Sequence, residues 1–185
     1  MKKIELKLYS FSELSPEAQE RVIENEAERV DIGDSLYQML DSAKAVTKAC
    51  NLTIGRYSWR TNEQNYCLKV SGNSCSLEGH KALAWFLRIL IGHGYARPKK
   101  FADMQFPGVC GFTGVCYDET VAETVWKELL DGESVSAAFN TVAYKFCKLA
   151  ESELEYLQSG QGILGHLDQS AEIYTEDGEE LNKFN

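Results

Sequence analysis

The chain has 185 residues, 44% of them hydrophobic and 25% charged, the size and composition of one ordinary globular domain. Its 19 Lys and Arg against 28 Asp and Glu give a formal net charge of −9. Phosphate binding is driven by Lys and Arg, so this sign argues against a general affinity for DNA, RNA or an anionic membrane surface, though not against a protein that imitates a nucleic acid.

Lys3 to Tyr9 alternates, with Ile4, Leu6 and Leu8 on one face and Lys3, Glu5 and Lys7 on the other, which predicts a half-buried strand. Ser15-Pro16-Glu17 is a helix start: Ser caps, Pro lacks an N–H that would go unpaired there, and Glu complements the dipole. Ala18, Val22, Ala27 and Val30 give that helix its apolar stripe. Gly33-Asp34 punctuates, and a second helix follows with Leu36, Met39, Leu40, Ala43, Val46 and Cys50 at helical spacing.

Leu52 to Arg60 and Asn65 to Ser71 read as strands of a hairpin joined by Thr61-Asn62-Glu63-Gln64. Leu77 to Gly92 is apolar nearly all round, which predicts a helix at the centre of the core. Gly94 to Gly111 is irregular. Phe112 to Tyr117 reads as a strand, and Asp118 as the cap of a helix from Glu119 to Leu130. A long helix is expected from Val135 to Leu157. Gly160 and Gly162 are expected to break the chain, Ala171 to Thr175 to form a last strand, and Glu176-Asp177-Gly178-Glu179 a turn. Strands and helices do not alternate strictly, so the expectation is an α+β fold, with helices packed on a small, mostly antiparallel sheet. No linker divides the chain, and 1–185 reads as a single domain with an acidic segment 151–185.

The charge is unevenly spread. Residues 1–31 hold 5 basic and 8 acidic groups, 32–150 hold 13 and 11, and 151–185 hold 1 and 9. The segments therefore carry −3, +2 and −8. A charge run is most often a solvated face, but one so concentrated can also dock on a basic partner.

No apolar signal segment follows Met1-Lys2-Lys3, and the longest apolar run, Ala82 to Ile91, is too short to span a membrane. A cytoplasmic setting with reduced thiols is expected for the six scattered cysteines. Cys110 and Cys116, with His80, His93 or His166, have no zinc-finger or ribbon spacing. No local signature pairs a Cys with a His as nucleophile and base. Gly108, Gly111 and Gly114 form a glycine-rich loop without the Gly-Lys-Ser/Thr ending of a phosphate loop. No catalytic residue, metal ligand or cofactor is assigned. Direct nucleic-acid binding through Arg56, Arg60, Arg97, Lys99 and Lys100 is a competing expectation, on a central charge too small for a convincing footprint.

Two stretches carry a resemblance. One is Tyr9-Ser10-Phe11-Ser12-Glu13-Leu14-Ser15-Pro16-Glu17-Ala18-Gln19-Glu20. The other is Glu155-Tyr156-Leu157-Gln158-Ser159 with Ala171-Glu172-Ile173-Tyr174-Thr175-Glu176-Asp177-Gly178. Together they resemble the opening and closing segments of a family of small phage and prophage accessory proteins, some of them labelled antitoxin of a toxin–antitoxin stability system. The resemblance implies a mobile-element origin in a bacterial cytoplasm and brings no catalytic residues. The expected function is a non-enzymatic, anti-CRISPR-like inhibitor of a bacterial host protein or ribonucleoprotein complex. The expected docking residues are Glu151, Glu153, Glu155, Glu172, Glu176, Asp177, Glu179 and Glu180. Antitoxin-like neutralisation of a cognate toxin competes with this expectation, as does a Cys- or metal-dependent enzyme.

Overall fold

The computed structural model describes residues 7–58, 66–106, 108, 111–114, 117–167 and 172–181. The fold is α+β. Its backbone gathers into two compact units, one made of Met1–Ile32 with Ser152–Asn185 and the other of Gly33–Glu151.

The first unit joins the two ends of the chain. A short 3-10 turn, Phe11–Glu13, is closed by Glu13, whose Oε2 accepts the Ser10 N–H (2.8 Å) and the Ser10 hydroxyl (2.9 Å). Helix α1, Pro16–Arg29, then starts as its sequence dictates: the Ser15 hydroxyl accepts the Ala18 N–H at 3.2 Å, and Pro16 occupies the first turn. Ala18 and Val22 are buried and pack with Leu14, Ile163, Leu167 and Tyr174, while Tyr9, Phe11, Ile23 and Ala27 cover that cluster.

Ile163 and Leu167 belong to a helix where the glycines suggested a break. Gly160–Leu167 is helical, with Ser159 receiving the Gly162 N–H at 3.1 Å. The correction has a steric cause. A Cβ on Gly162 would overlap the Tyr156 carbonyl oxygen, so Gly162 lets this helix start directly against the preceding one.

The expected terminal strands are reduced to isolated pairings among the described residues. Tyr9 and Tyr174 exchange backbone hydrogen bonds of 3.0 and 2.9 Å, and Tyr174 also bridges Glu180. Lys3 to Leu6 lie outside the described residues. Leu8, expected to face inward, is 47% exposed, whereas Tyr9 packs on the core. The expected turn forms: the Gly178 N–H donates to Thr175 O at 2.9 Å and Thr175 N–H to Glu179 O at 2.9 Å.

In the second unit, helix α2 (Gly33–Ala49) buries Met39, Leu40, Ala43 and Val46. It ends at Asn51, whose φ of +52° turns the chain so that the Asn51 N–H reaches Lys48 O and the Leu52 N–H reaches Thr47 O. Strands β1 (Thr53–Ser58) and β2 (Cys67–Ser71) pair antiparallel with Tyr57 opposite Leu68 and Arg56 opposite Lys69. The register shifts between Ile54 and Arg56. That bulge places Ile54 and Tyr57, three positions apart, on the same face as Leu68 and Val70.

Helix α3 (Gly79–Gly92) buries Ala82, Leu83, Phe86, Leu87 and Leu90 but leaves Ile91 41% exposed and Trp85 half-buried. It therefore packs through one face and is not enclosed on all sides as its composition suggested. Helix α4 (Tyr117–Leu130) contacts both α2 and α3 and buries Val121, Val125, Trp126 and Leu129. The Trp126 indole donates to Phe101 O at 3.2 Å. Helix α5 (Val135–Gln158) begins where Val135 and Ser136 donate to Leu77 O and Cys75 O. The short helix Gly160–Leu167 of the first unit is α6.

The expected strand from Phe112 is a turn over residues 111–114, and Tyr117 already belongs to α4. Asp118 sits inside that helix. Its Oδ2 accepts the N–H groups of Phe112 (2.9 Å) and Thr113, and its Oδ1 accepts the Thr113 hydroxyl (2.7 Å). It caps the loop before the helix, and those bonds replace a strand ladder.

Gly178 tests the closure of the terminal unit. Its φ is +82°, and an added Cβ would lie 2.9 Å from Ala18 O and 3.1 Å from Val22 Cγ2. Gly178→Ala is expected to destabilise the protein by about 1–3 kcal/mol in a denaturant titration. Gly165→Ala, in open space on α6, is expected to be neutral or slightly stabilising.

Candidate functional site

Folding changes the meaning of the charge. The acidic ends, separate in the sequence, lie in one unit. Residues 1–32 and 152–185 hold 6 basic and 16 acidic side chains, a formal −10, whereas 33–151 hold 13 and 12, a formal +1.

Helix α1 supplies an ordered part of this acidity. Glu17, Glu20, Glu24 and Glu28 recur at intervals of three and four, and all four are exposed because Ala18 and Val22 face the core. The docking residues expected from the sequence do not include them. Their spacing is readable there, but a charge summed over a segment does not resolve one face of a helix.

The C-terminal turn lies along the same helix. Gly178 seats over Ala18 and Val22. Glu176 and Asp177 then line a cleft of about 500 Å³ with Glu13 and Arg21. Glu179 and Glu180 line a second cleft of about 410 Å³ with Glu26, Arg29 and Tyr174. The first cleft sets Glu13 and the α1 cation Arg21 beside the turn, and the second sets the α1 carboxylate Glu26 beside it.

The eight residues expected to dock separate into two groups. Three already serve the fold. Glu151 pairs with Lys148 (2.6 Å) and accepts from the Cys147 thiol (3.5 Å). Glu172 accepts the Tyr174 hydroxyl at 2.6 Å. Glu180 pairs with Arg29 at 2.8 Å, and Glu26 holds the same guanidinium at 2.6 Å. Glu153 is half-buried on α5 and also has an interaction of its own. Glu155, Glu176, Asp177 and Glu179 are exposed.

The local electrostatics agree with that division. The Glu180 carboxylate holds the Arg29 pKa above its ordinary value, against the opposing effect of burial. The Ser10 N–H and hydroxyl hold Glu13 below its ordinary value. Burial, then the bond to Glu172, pushes the Tyr174 phenol up.

The remaining motifs have structural partners. Gly108 donates its N–H to Glu119 Oε1 at 2.9 Å, and Asp118 holds Phe112 and Thr113. Three described backbone donors of the glycine-rich loop, those of Gly108, Phe112 and Thr113, are thus taken by the chain's own carboxylates, where a phosphate loop would offer them to a ligand. His93 stacks on Phe112 with ring centroids 4.2 Å apart, its Nδ1 3.2 Å from Gly111 O. His80 lies against Phe101. Burial pushes the Cys50 thiol up to about 12 and also raises Cys75 and Cys147, so these thiols lack thiolate character at neutral pH. Cys110 and Cys116 lie outside the described residues, among which no three His, Cys, Asp or Glu are grouped to hold a metal.

Of the basic residues, Arg97, Lys99 and Lys100 are exposed before the short turn Phe101–Asp103, and Arg56 is exposed on β1. Arg60 lies outside the described residues. No helix among the described residues is long and apolar enough to cross a membrane. No family model, curated protein or solved structure matches the chain.

Asp118 gives a pH test. Burial alone would raise its pKa, but the Thr113 N–H and hydroxyl and the Phe112 N–H together hold it below its ordinary value. A carboxylate depressed on folding contributes stability that is complete above its unfolded value and is lost as pH falls through the folded one. Asp118→Asn is expected to lower stability at pH 7 by roughly 1–3 kcal/mol. It should also flatten the acid limb of the stability curve below pH 3.8 in equilibrium unfolding series.

Proposed function

We propose that the protein acts by binding: its acidic terminal unit docks on a basic, nucleic-acid-binding face of a bacterial host protein or ribonucleoprotein complex and blocks it. The observation that carries this reading is the convergence of 14 described acidic side chains from both chain ends on one unit, with ordered rows on α1 and on the turn beside it. Carboxylates set at helical spacing offer a rigid array of negative charge, which steers and orients a basic surface more effectively than a disordered acidic tail. The mobile-element setting comes from the resemblance of residues 9–20, 155–159 and 171–178 to phage and prophage accessory proteins. Those stretches belong to this same unit.

The residues committed to docking are Glu17, Glu20, Glu24, Glu155, Glu176, Asp177 and Glu179, while Glu180 serves the fold through Arg29. Two triple reversals test this, Glu17→Lys/Glu20→Lys/Glu24→Lys and Glu176→Lys/Asp177→Lys/Glu179→Lys. Each variant would be immobilised and exposed to host proteins eluted from a heparin column. Each triple is expected to capture its partner at least tenfold less than wild type, and wild-type capture should weaken as salt rises. Undiminished capture by both triples would sink acidic docking.

A further inference from the structure

The near-neutral total of the second unit conceals a run of one sign. Residues 79–102 contain no carboxylate, in a chain with 28 of them, and carry Lys81, Arg88, Arg97, Lys99 and Lys100. All five cations are exposed. Among the described residues none of the five meets a carboxylate, whereas Arg29, Lys44, Lys127 and Lys148 each do so within 3.3 Å. A single unpaired surface cation is ordinary. Five in one stretch with no counter-charge repel one another, and the repulsion is relieved by an anion that meets several at once.

Folding sets the five in two neighbouring rows. Lys81 and Arg88 are two turns apart on α3, on the face turned away from the buried Phe86 and Leu90. The Arg88 Nε donates to Ala84 O at 3.2 Å, which lays its side chain back along the helix. The chain then doubles back. The Tyr95 N–H bonds Leu90 O at 3.1 Å near the end of α3, and the Phe101 ring lies 5.9 Å from the His80 ring at its start. The six residues from Tyr95 to Phe101 reach at most about 22 Å, while Leu90 and His80 are about 15 Å apart along the helix axis. This strap has little slack and runs beside α3. Tyr95, Pro98 and Phe101, every third residue, are buried or half-buried, and the Trp126 indole donates to Phe101 O at 3.2 Å. Arg97, Lys99 and Lys100 stand out between these anchors.

From this geometry we infer that α3 and the strap along it bind the phosphate backbone of a nucleic acid. A band of cations that no carboxylate interrupts matches a polyanion whose phosphates no cation interrupts; an acidic protein face carries cations among its carboxylates. Contacts to phosphate hold and orient a nucleic acid without reading its sequence. The whole-chain charge of −9 hides this band, because the acids that set its sign stand elsewhere in the chain. The inference goes beyond acidic docking and does not rest on it.

The test is fluorescence anisotropy of a labelled 20-base-pair DNA duplex titrated with the full chain. Three to five phosphate contacts predict affinity that falls about 40- to 500-fold between 50 and 200 mM NaCl. A second duplex of unrelated sequence should bind within about twofold of the first. Arg97→Glu/Lys99→Glu/Lys100→Glu should weaken binding at least tenfold, and Lys81→Glu/Arg88→Glu at least fivefold. Arg97→Lys, which keeps the charge, should stay within about threefold of wild type. The melting temperatures of these variants should match wild type, since the side chains are exposed and no carboxylate depends on them. The proposal is overturned by absent or salt-insensitive binding, or by binding that both reversals retain. It is also overturned if polyglutamate or phosphatidylserine vesicles, matched in charge, displace the labelled duplex as readily as unlabelled duplex does. The Glu176→Lys/Asp177→Lys/Glu179→Lys triple is expected to bind the duplex at least as tightly as wild type. Failure of acidic docking and failure of this site are therefore read separately.

Discussion

The acidic unit depends on one long-range pairing. Tyr9 and Tyr174 exchange two backbone hydrogen bonds, and around them Leu14, Ala18 and Val22 from one end of the chain meet Ile163 and Leu167 from the other. Neither end has a core of its own. Six buried side chains make a small cluster, and it exists only when both ends contribute. Loop-closure cost rises slowly, about 0.6 kcal/mol per doubling of the loop, so a long intervening segment does not forbid the pairing. The mutual repulsion of 16 acidic groups works against it. Arg29, held between Glu26 and Glu180, is a cation placed where α1 and the returning turn approach each other.

The second recurring device is a side-chain carboxylate that accepts backbone N–H groups. Glu13 closes the first turn on Ser10, Asp118 pins Phe112 and Thr113, and Glu119 holds Gly108. In each case an irregular segment that lacks ladder partners obtains them from a carboxylate three to eleven positions downstream. Part of the acidity is thus structural. The clearest instances of charge with no internal use stand on the outer face of α1 and on the turn at Glu176 and Asp177.

Much of the architecture is legible in the sequence because local rules and tertiary packing agree. Ser15-Pro16 starts α1, the hairpin lies where aromatic and β-branched residues cluster, and the stripes of α2, α4 and α5 face inward as their spacing requires. The departures share a cause. Phe112 reads as strand because its pairing to Asp118 is a side-chain contact with no periodic signature. Gly162 reads as a breaker because the carbonyl that demands a glycine belongs to the previous helix. Leu8 reads as buried because alternation alone does not say which face meets a core that arrives from the other end of the chain. The candidate docking residues are half legible: the tail is visible as a charge run, but its internal pairings and the row on α1 are not.

The sequence by itself determined helices α1 to α5, the Ser15 cap of α1, the hairpin and the strong acidity of both termini, since each of these is set by residues within a few positions of one another. Only the tertiary structure decided that the two acidic ends are one surface, that Glu151, Glu172 and Glu180 are occupied, that Arg56 faces Lys69, and that residues 94–100 return along α3. Those facts depend on contacts and registers between distant parts of the chain. A net charge carries no information about them, because it adds charges without regard to where folding brings them together.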